Sequence, residues 1–96
     1  MAQSFRMTIR RSNERLTLHL EGDFDGSSAL ELINAIKNNA LKSKDILIDT
    51  SRLVSVHPFG QETLRRHYFR LNGLRSRIRI GGIHRDRLHP DGWSNP

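Results

Sequence analysis

Alternating apolar and polar residues open the chain and predict a β-hairpin. Apolar side chains occupy every second position of residues 5–10, and again of residues 16–21. This period places one row of side chains on a covered face of a strand and the other row on an accessible face. The polar segment 11–15 is short enough to join two antiparallel strands. His19 falls in the polar row, and we interpret it as a surface residue rather than a ligand.

A longer period predicts the first helix. Residues 22–26 contain two glycines and two aspartates, so we expect the second strand to end there. Ser28 with Glu31 forms a capping-box pattern, in which each side chain satisfies a free N–H group of the first turn, with Asp25 and Ser27 as alternative caps. The apolar stripe of this helix consists of Ala29, Leu32 or Ile33, Ile36 and Ala40.

The segment 45–56 predicts a short strand and then a loop. An uninterrupted apolar run from Ile46 to Ile48 ends at Asp49, which is typical of a strand buried on both faces. Beyond Asp49, apolar and polar residues mix without a clear period. We expect Leu53, Val54 and Val56 to hold this loop against the core.

A second helix is predicted from residue 58 onwards. Pro58 suits a first helical position because its φ is fixed and its missing N–H is not needed there. Apolar or small residues then recur at helical spacing, and Asn72 with Gly73 supplies a C-terminal stop. The recurring positions are Gly60, Leu64, His67 or Tyr68, and Leu71.

The last alternating segment, 77–80, predicts a fourth strand that ends at Gly81 and Gly82. Residues 83–89 can form one helical turn, and we expect 83–96 to be an irregular tail in which Trp93 either covers apolar surface or extends freely. The chain is therefore predicted to be α/β in the order β-β-α-β-α-β. Parallel strands joined by helices and an antiparallel hairpin give a mixed sheet of about four strands, with helices mainly on one face.

Composition limits the protein classes that fit. A chain of 96 residues with 35% apolar residues forms a single domain with one modest core, covering residues 1–96. It has no cysteine, which excludes disulfides and cysteine-based metal sites. No apolar stretch approaches the ~20 residues of a membrane span, and no signal peptide is visible, so we expect a cytoplasmic protein without membrane insertion.

The net charge of +6 is concentrated in the second half of the chain. Residues 1–48 hold seven basic and six acidic side chains, whereas residues 49–96 hold nine and four. A basic patch is predicted from Arg65, Arg66, Arg70, Arg77 and Arg79. Such a patch can attract nucleic acid or an acidic protein, or it can be an ordinary solvated face. Nucleic acid is the less favoured partner, because the arginines are not interleaved with stacking aromatic side chains.

Two segments together resemble the STAS domain family, which includes the bacterial anti-sigma factor antagonists. The first is the strand of residues 16–21 with the sequence Gly-Asp-Phe-Asp after it, at residues 22–25. The second is the strand that ends at Asp49, followed by a loop and the sequence Val-His-Pro-Phe-Gly of residues 56–60, which opens a helix. The resemblance spans about residues 5–83. It implies the same mixed sheet, in a version shortened at its C-terminus whose free sheet edge favours a homodimer.

The resemblance also implies where a protein partner binds. In the family, the loop after the second strand and the start of the second helix contact the partner. The corresponding positions here are Asp23, Phe24, Asp25, Ser27, His57, Pro58, Phe59, Gln61 and Glu62. Phe59 is either an exposed interface anchor or a core residue. Family members carry a phosphorylated serine just before the glycine that corresponds to Gly60, but no residue of 57–60 has a hydroxyl group.

We therefore predict a non-catalytic bacterial regulatory domain that binds a protein, such as an anti-sigma-type kinase, without the serine switch. No cofactor is expected, since the sequence contains no P-loop, GxGxxG or Gly-x-Ser-x-Gly pattern, and the histidines lack metal-ligand spacing. Two alternatives remain. One is an arginine-rich nucleic-acid-binding domain, and the other is an accessory STAS subunit of a transport system.

Overall fold

The computed structural model describes residues 4–39, 43–68, 71 and 73–88. Within them lies one mixed sheet with the strands in the spatial order β1-β2-β3-β4. The elements in chain order are β1 (Arg6–Ser12), β2 (Arg15–Phe24), α1 (Gly26–Asn39), β3 (Asp45–Val56), α2 (Pro58–Tyr68), β4 (Ile78–Gly81) and α3 (Arg85–Leu88). β1 and β2 are antiparallel, whereas β3 is parallel to both of its neighbours. The α/β class, the element order and the four-stranded mixed sheet are confirmed.

The hairpin is tighter than the polar segment 11–15 suggested. Ser12 pairs with Arg15, so that only Asn13 and Glu14 form the turn. Asn13 has a φ of 57°, a left-handed conformation that asparagine tolerates better than most residues. The carbonyl of Glu14 then accepts the N–H of Lys44 at 2.8 Å, which connects the hairpin to the start of β3.

The core lies between one face of the sheet and the helices. Its sheet side is formed by the buried row of leucines in β2 together with Ile46 and Ile48 of β3. Both Leu32 and Ile33 of α1 are buried against it, as are Leu64 and Tyr68 of α2, with the remaining core residues around them. Leu47, on the opposite face, is only half-buried. The prediction that β3 is covered on both faces is therefore wrong.

β2 and β3 are both longer than the sequence pattern indicated. The prediction of a loop over residues 50–56 is wrong, because these residues continue β3 and pair with the end of β2. The pairing register shifts twice, between His19 and Glu21 and again between Gly22 and Asp23. Gly22 has a φ of 86°, which glycine adopts without steric cost. In β3 these irregularities interrupt the period-2 burial pattern, whereas in β2 the pattern runs unbroken to Phe24, and both strands continue.

The connection from β4 to α3 passes close to β3 at Gly82. A Cβ atom at Gly82, where φ is 98°, would lie 2.6 Å from Thr50 Oγ1 and 2.7 Å from the backbone nitrogen of Ser51. The helical turn that was expected within 83–89 is present as α3, and Leu88 is buried. The irregular tail therefore does not include residues 85–88, while residues 89–96 with Trp93 lie outside the described residues.

Candidate partner-docking surface

The predicted site lies where the parallel strands β2 and β3 end. Phe24 and Val56 are paired at these ends, and the N–H of His57 donates to the carbonyl of Phe24 at 2.9 Å. α1 and α2 begin within two residues of this link. The two segments that contain the predicted partner-binding residues, 23–27 and 57–62, are adjacent because the carboxyl ends of parallel strands meet at one edge of the sheet.

Gly60 allows the start of α2 to approach the end of β2. A Cβ atom there would lie 2.8 Å from the carbonyl oxygen of Phe24 and 2.9 Å from the carbonyl carbon and oxygen of Asp25. Since all three are backbone atoms, a larger side chain would have to displace the chain itself. Gly60 therefore determines the separation of the two loops.

Asp25 is the N-cap of α1 and orders the first loop. Its Oδ1 accepts hydrogen bonds from the N–H of Ser28 at 2.9 Å, from the Ser28 hydroxyl at 2.9 Å and from the Ser27 hydroxyl at 2.8 Å. These bonds, led by the one from the Ser28 N–H, hold the pKa of the Asp25 carboxyl below its usual value, and nearby His57 acts in the same direction. Asp25, not Ser28, is thus the cap among the alternatives.

Phe59 is exposed at the start of α2. Its side chain is 70% accessible to solvent, so its interpretation as a core residue is wrong. A Cβ atom at Gly26 would lie 2.6 Å from two carbon atoms of the ring, which shows that one part of the ring rests on the first turn of α1. The hydroxyl of Thr63 donates to the Phe59 carbonyl at 2.8 Å within the helix.

The other predicted residues divide into accessible and inaccessible ones. Ser27, His57, Pro58 and Glu62 are exposed, and α2 begins at Pro58 as predicted. Gln61 is half-buried, and its amide donates to the Arg87 carbonyl of α3 at 2.5 Å. We refer to the accessible set as the strand-end surface. It comprises Asp25, Ser27, His57, Pro58, Phe59 and Glu62.

Phe24 and Asp23 were predicted to bind the partner, but Phe24 is buried and Asp23 is half-buried. Phe24 has no solvent exposure and packs edge-on against Phe5, with 5.9 Å between ring centres. Its assignment to the partner-binding set is therefore wrong, because β2 continues to residue 24 and directs this side chain into the core. Asp23 is half-buried and accepts the hydroxyl of Ser55 at 2.6 Å, across the β2–β3 pair.

Two further exposed aliphatic residues are Val54 and Ile83, and the prediction that Val54 packs against the core is wrong. Val54 is 54% accessible and Ile83 is 79% accessible. They adjoin Leu53 and His84, which are joined by a 3.0 Å hydrogen bond between the His84 ring and the Leu53 carbonyl. The sequence pattern could not separate Val54 from its buried neighbours Leu53 and Val56, because the irregular pairing of β3 alters the alternation there.

The alternating pattern predicted that His19 is a surface residue but not that it contacts Asp49. It lies on the sheet face opposite the helices, where its Nδ1 is 2.8 Å from Oδ2 of Asp49 on β3. Oδ1 of Asp49 accepts both the N–H and the hydroxyl of Ser51. Burial, the largest single influence, raises the pKa of the Asp49 carboxyl, but the bonds from Ser51 and His19 together outweigh it and leave this pKa lowered.

The arginines of the predicted basic patch do not share one surface. Arg65 and Arg66 lie on α2 and pair with Glu62 at 3.9 and 3.4 Å. Arg79 lies on the open sheet face and pairs with Asp45 at 3.7 Å. Arg77 donates to the carbonyl of Ser43. Arg70 is outside the described residues. The sheet therefore separates the helix arginines from Arg79.

Two further features were sought in the described part of the chain, a metal site and a membrane-spanning helix. It contains no group of three or more histidine and carboxylate side chains arranged to hold a metal ion. His67 and His84 instead lie within hydrogen-bond distance of backbone carbonyls. None of its helices combines the length and apolar character that crossing a bilayer would require.

Comparison with known proteins identifies the fold. Neither a family model nor a curated protein sequence matches the chain. Among solved structures, Mglu matches over 81% of this chain with a TM-score of 0.68 and 18% identity, although the match covers only 20% of Mglu. An antisigma-factor antagonist STAS domain from Rhodobacter sphaeroides matches with a TM-score of 0.58 and 17% identity, over 88% of this chain and 91% of that one.

A third similar structure is an uncharacterised protein from Shewanella loihica with a SpoIIAA-like fold. It has a TM-score of 0.56 and 12% identity, and the match covers 86% of this chain and 72% of that protein. These levels of identity are too low to transfer a biochemical role. The agreement in topology over most of the chain is sufficient for the architecture, and the protein has a STAS-like fold.

Proposed function

We infer that the protein is a non-catalytic regulatory domain that binds a protein partner through the strand-end surface. The observation that carries this inference is Phe59, a large aromatic side chain that is 70% accessible in a domain whose other phenylalanines in the described residues are partly or fully buried. Phenylalanine is among the side chains enriched at the centres of protein interfaces relative to the rest of the surface.

The surroundings of Phe59 support a preformed binding surface. Asp25 is held by three hydrogen bonds, and the loop of His57 is tied to β2 through the backbone. A surface ordered in advance loses less conformational entropy on binding. Asp25 and Glu62 are exposed on the same surface as Phe59 and supply polar groups around an apolar centre, as interfaces usually do.

The similar Rhodobacter sphaeroides protein is described as an antisigma-factor antagonist. Our leading candidate for the partner of this chain is therefore an anti-sigma-type kinase or another regulatory protein. Residues 57–60 contain no hydroxyl group. Binding by this protein is thus proposed to be independent of a phosphoserine at the start of α2. An anti-sigma-type kinase with ATP should leave no stable phosphate ester on these four residues, and phosphate found by mass spectrometry on Ser55 or Thr63 would instead indicate a displaced switch.

The direct test is Phe59→Ala, with Leu30→Ala as a matched control. Leu30 is a partly exposed apolar residue on α1 that is not part of the strand-end surface. Partners that an immobilised wild-type protein retains from an extract of its own cells should be retained by Leu30→Ala. Phe59→Ala should lose them, with a cost of about 2 kcal/mol or more in binding free energy.

Stability distinguishes this result from unfolding. Because Phe59 is mostly exposed, its truncation should cost less than about 1 kcal/mol in the free energy of unfolding, whereas Leu64→Ala in the core should cost about 2–5 kcal/mol. Unchanged partner retention by a folded Phe59→Ala protein would contradict the proposed surface.

A nucleic-acid function receives less support, since the predicted basic residues lie on different faces and several are paired with carboxylates. We expect only weak, non-specific binding to DNA or RNA in about 0.15 M salt. Nanomolar, sequence-selective binding would exceed this electrostatic attraction and would favour the nucleic-acid function instead.

A further inference from the structure

β1 forms one edge of the sheet and has no strand on its outer side in the described residues. It pairs continuously with β2 from Arg6 to Ser12 and contains neither proline nor a register shift. No backbone hydrogen bond from the rest of the described chain reaches it. About half of its backbone N–H and C=O groups therefore point outwards, which is the arrangement onto which another strand can add.

One face of this edge carries two arginines that form no ion pair with a described residue. Arg6, Thr8 and Arg10 are opposite Glu21, His19 and Thr17, in the row of residues that faces away from the helices. Alternate residues of a strand are about 6.8 Å apart on one face. On this face of the described sheet, Arg15, Arg52 and Arg79 form ion pairs, whereas Arg6 and Arg10 form none, because Glu21 opposite Arg6 is paired with Arg52.

The other face of the same edge carries Met7, Ile9 and Arg11, and its two apolar residues are incompletely covered. Met7 and Ile9 are paired with core leucines of β2, but Ile9 remains 45% accessible and Met7 is only partly buried. β1 therefore presents three features side by side. These are an unpaired backbone edge, a row of cations on one face and an uncovered apolar side chain on the other.

We propose that β1 is a second docking surface, separate from the strand-end surface, which adds an extended segment of a partner protein with alternating acidic and apolar residues. The acidic side chains of that strand lie beside Arg6 and Arg10, and its apolar side chains cover Ile9. The backbone edge provides main-chain hydrogen bonds, and the alternation of side chains determines which strand fits.

A second copy of this chain fits the edge poorly in the register centred on Thr8. Two antiparallel β1 strands in that register would place Arg6 of each copy opposite Arg10 of the other. Like charges directly opposite one another destabilise a strand pair. The same arginines that favour an acidic strand thus disfavour this register of pairing between copies.

The test uses a fluorescent heptapeptide, Glu-Val-Glu-Val-Glu-Val-Glu, with blocked ends, titrated with the full protein. We expect saturable binding that Arg10→Glu or Arg6→Glu weakens about tenfold, because an attraction becomes a repulsion. Lys37→Glu, which makes the same charge change at an exposed position on α1, should alter the affinity by less than about twofold. Thermal unfolding of each variant verifies that it is folded.

Two modified peptides test strand addition itself. In an added strand only one alternate set of N–H groups faces β1. N-methylation of that set should abolish binding, and N-methylation of the other set should be tolerated. A peptide of the same composition with its four glutamates in one block should bind at least about tenfold more weakly, since it cannot separate charge and apolar groups onto two faces.

Several outcomes would overturn the proposal. The first is an absence of saturable binding, and the second is equal affinity for the alternating peptide and for the peptide with its four glutamates in one block. The third is an affinity that N-methylation of neither set changes, and the fourth is an equal loss of affinity in Lys37→Glu and Arg10→Glu. Tighter, Arg10-dependent binding of an oligothymidylate would assign the edge to nucleic acid. Self-association of the free protein that the peptide reverses would assign it to a second copy.

Discussion

The ring of Phe59 lies against Gly26, so that a Cβ atom at position 26 would be 2.6 Å from its Cδ2 and Cε2 atoms. The first turn of α1 thereby supports one side of an aromatic ring whose remaining surface is exposed. The two residues are 33 positions apart and meet because β2 and β3 are parallel neighbours. The absence of a side chain at Gly26 therefore contributes to the direction in which the proposed anchor points.

Gly26→Ala should weaken partner binding while leaving the protein folded. The added methyl group displaces the ring of Phe59, which can move because it is mostly exposed, and alanine itself favours helix by up to about 1 kcal/mol. We expect the free energy of unfolding to change by less than about 1 kcal/mol. In a Phe59→Ala background, Gly26→Ala should have no further effect on binding, and an additive effect would contradict the coupling.

Gly60→Ala should behave differently, although the chemical change is the same. Here the new methyl group meets backbone atoms of Phe24 and Asp25, which cannot move without disturbing β2 and α1. Overpacking of this kind typically costs about 1–3 kcal/mol. Urea unfolding of Gly60→Ala and Gly26→Ala in parallel should show the loss of stability in the first variant alone.

Asp25→Ala should destabilise the protein by about 1 kcal/mol at neutral pH, as expected for loss of an N-cap. Asp25→Asn should cost less, since asparagine also caps helices but carries no charge. The pKa of Asp25 is lowered in the folded state, so the contribution of its charge is present above the usual value of 3.8 and is lost as the pH falls through the folded value. The stability difference between wild type and Asp25→Asn should therefore shrink on acidification. A difference that widens at acid pH would be inconsistent with this assignment.

Ser51→Ala should raise the pKa of Asp49. The serine hydroxyl donates to Asp49 Oδ1 at 2.6 Å, and without it the effect of burial is less fully opposed. In Ser51→Ala, the carboxyl resonance of Asp49 should titrate at higher pH than in the wild type. Acid unfolding should also begin at higher pH, because the stabilising negative charge is neutralised at a higher pH. Ser55→Ala is the matched control, since that hydroxyl binds Asp23 and should leave the titration of Asp49 unchanged.

Local patterns in the sequence were sufficient for the hairpin, the two long helices and the order of the elements. Alternation in β1 and in the first part of β2, and the helical spacing of Gly60, Leu64 and Tyr68, each depend on residues close in the chain. Pro58 and the candidate Asp25 likewise marked helix starts through local chemistry. The two loops at the ends of β2 and β3 were chosen through the resemblance to the STAS family, and the parallel pairing of these strands makes them adjacent.

The exposure of individual site residues required the tertiary structure. Phe24 and Phe59 both belong to segments selected from the sequence, yet the first is in the core and the second is in solvent, because β2 extends through an irregular pairing before α1 begins. The arginines near one another in sequence are separated by the sheet, since strand β4 and helix α2 direct them to different faces. Local periodicity specifies which residues share a face of one element, whereas contacts between distant segments determine what covers that face.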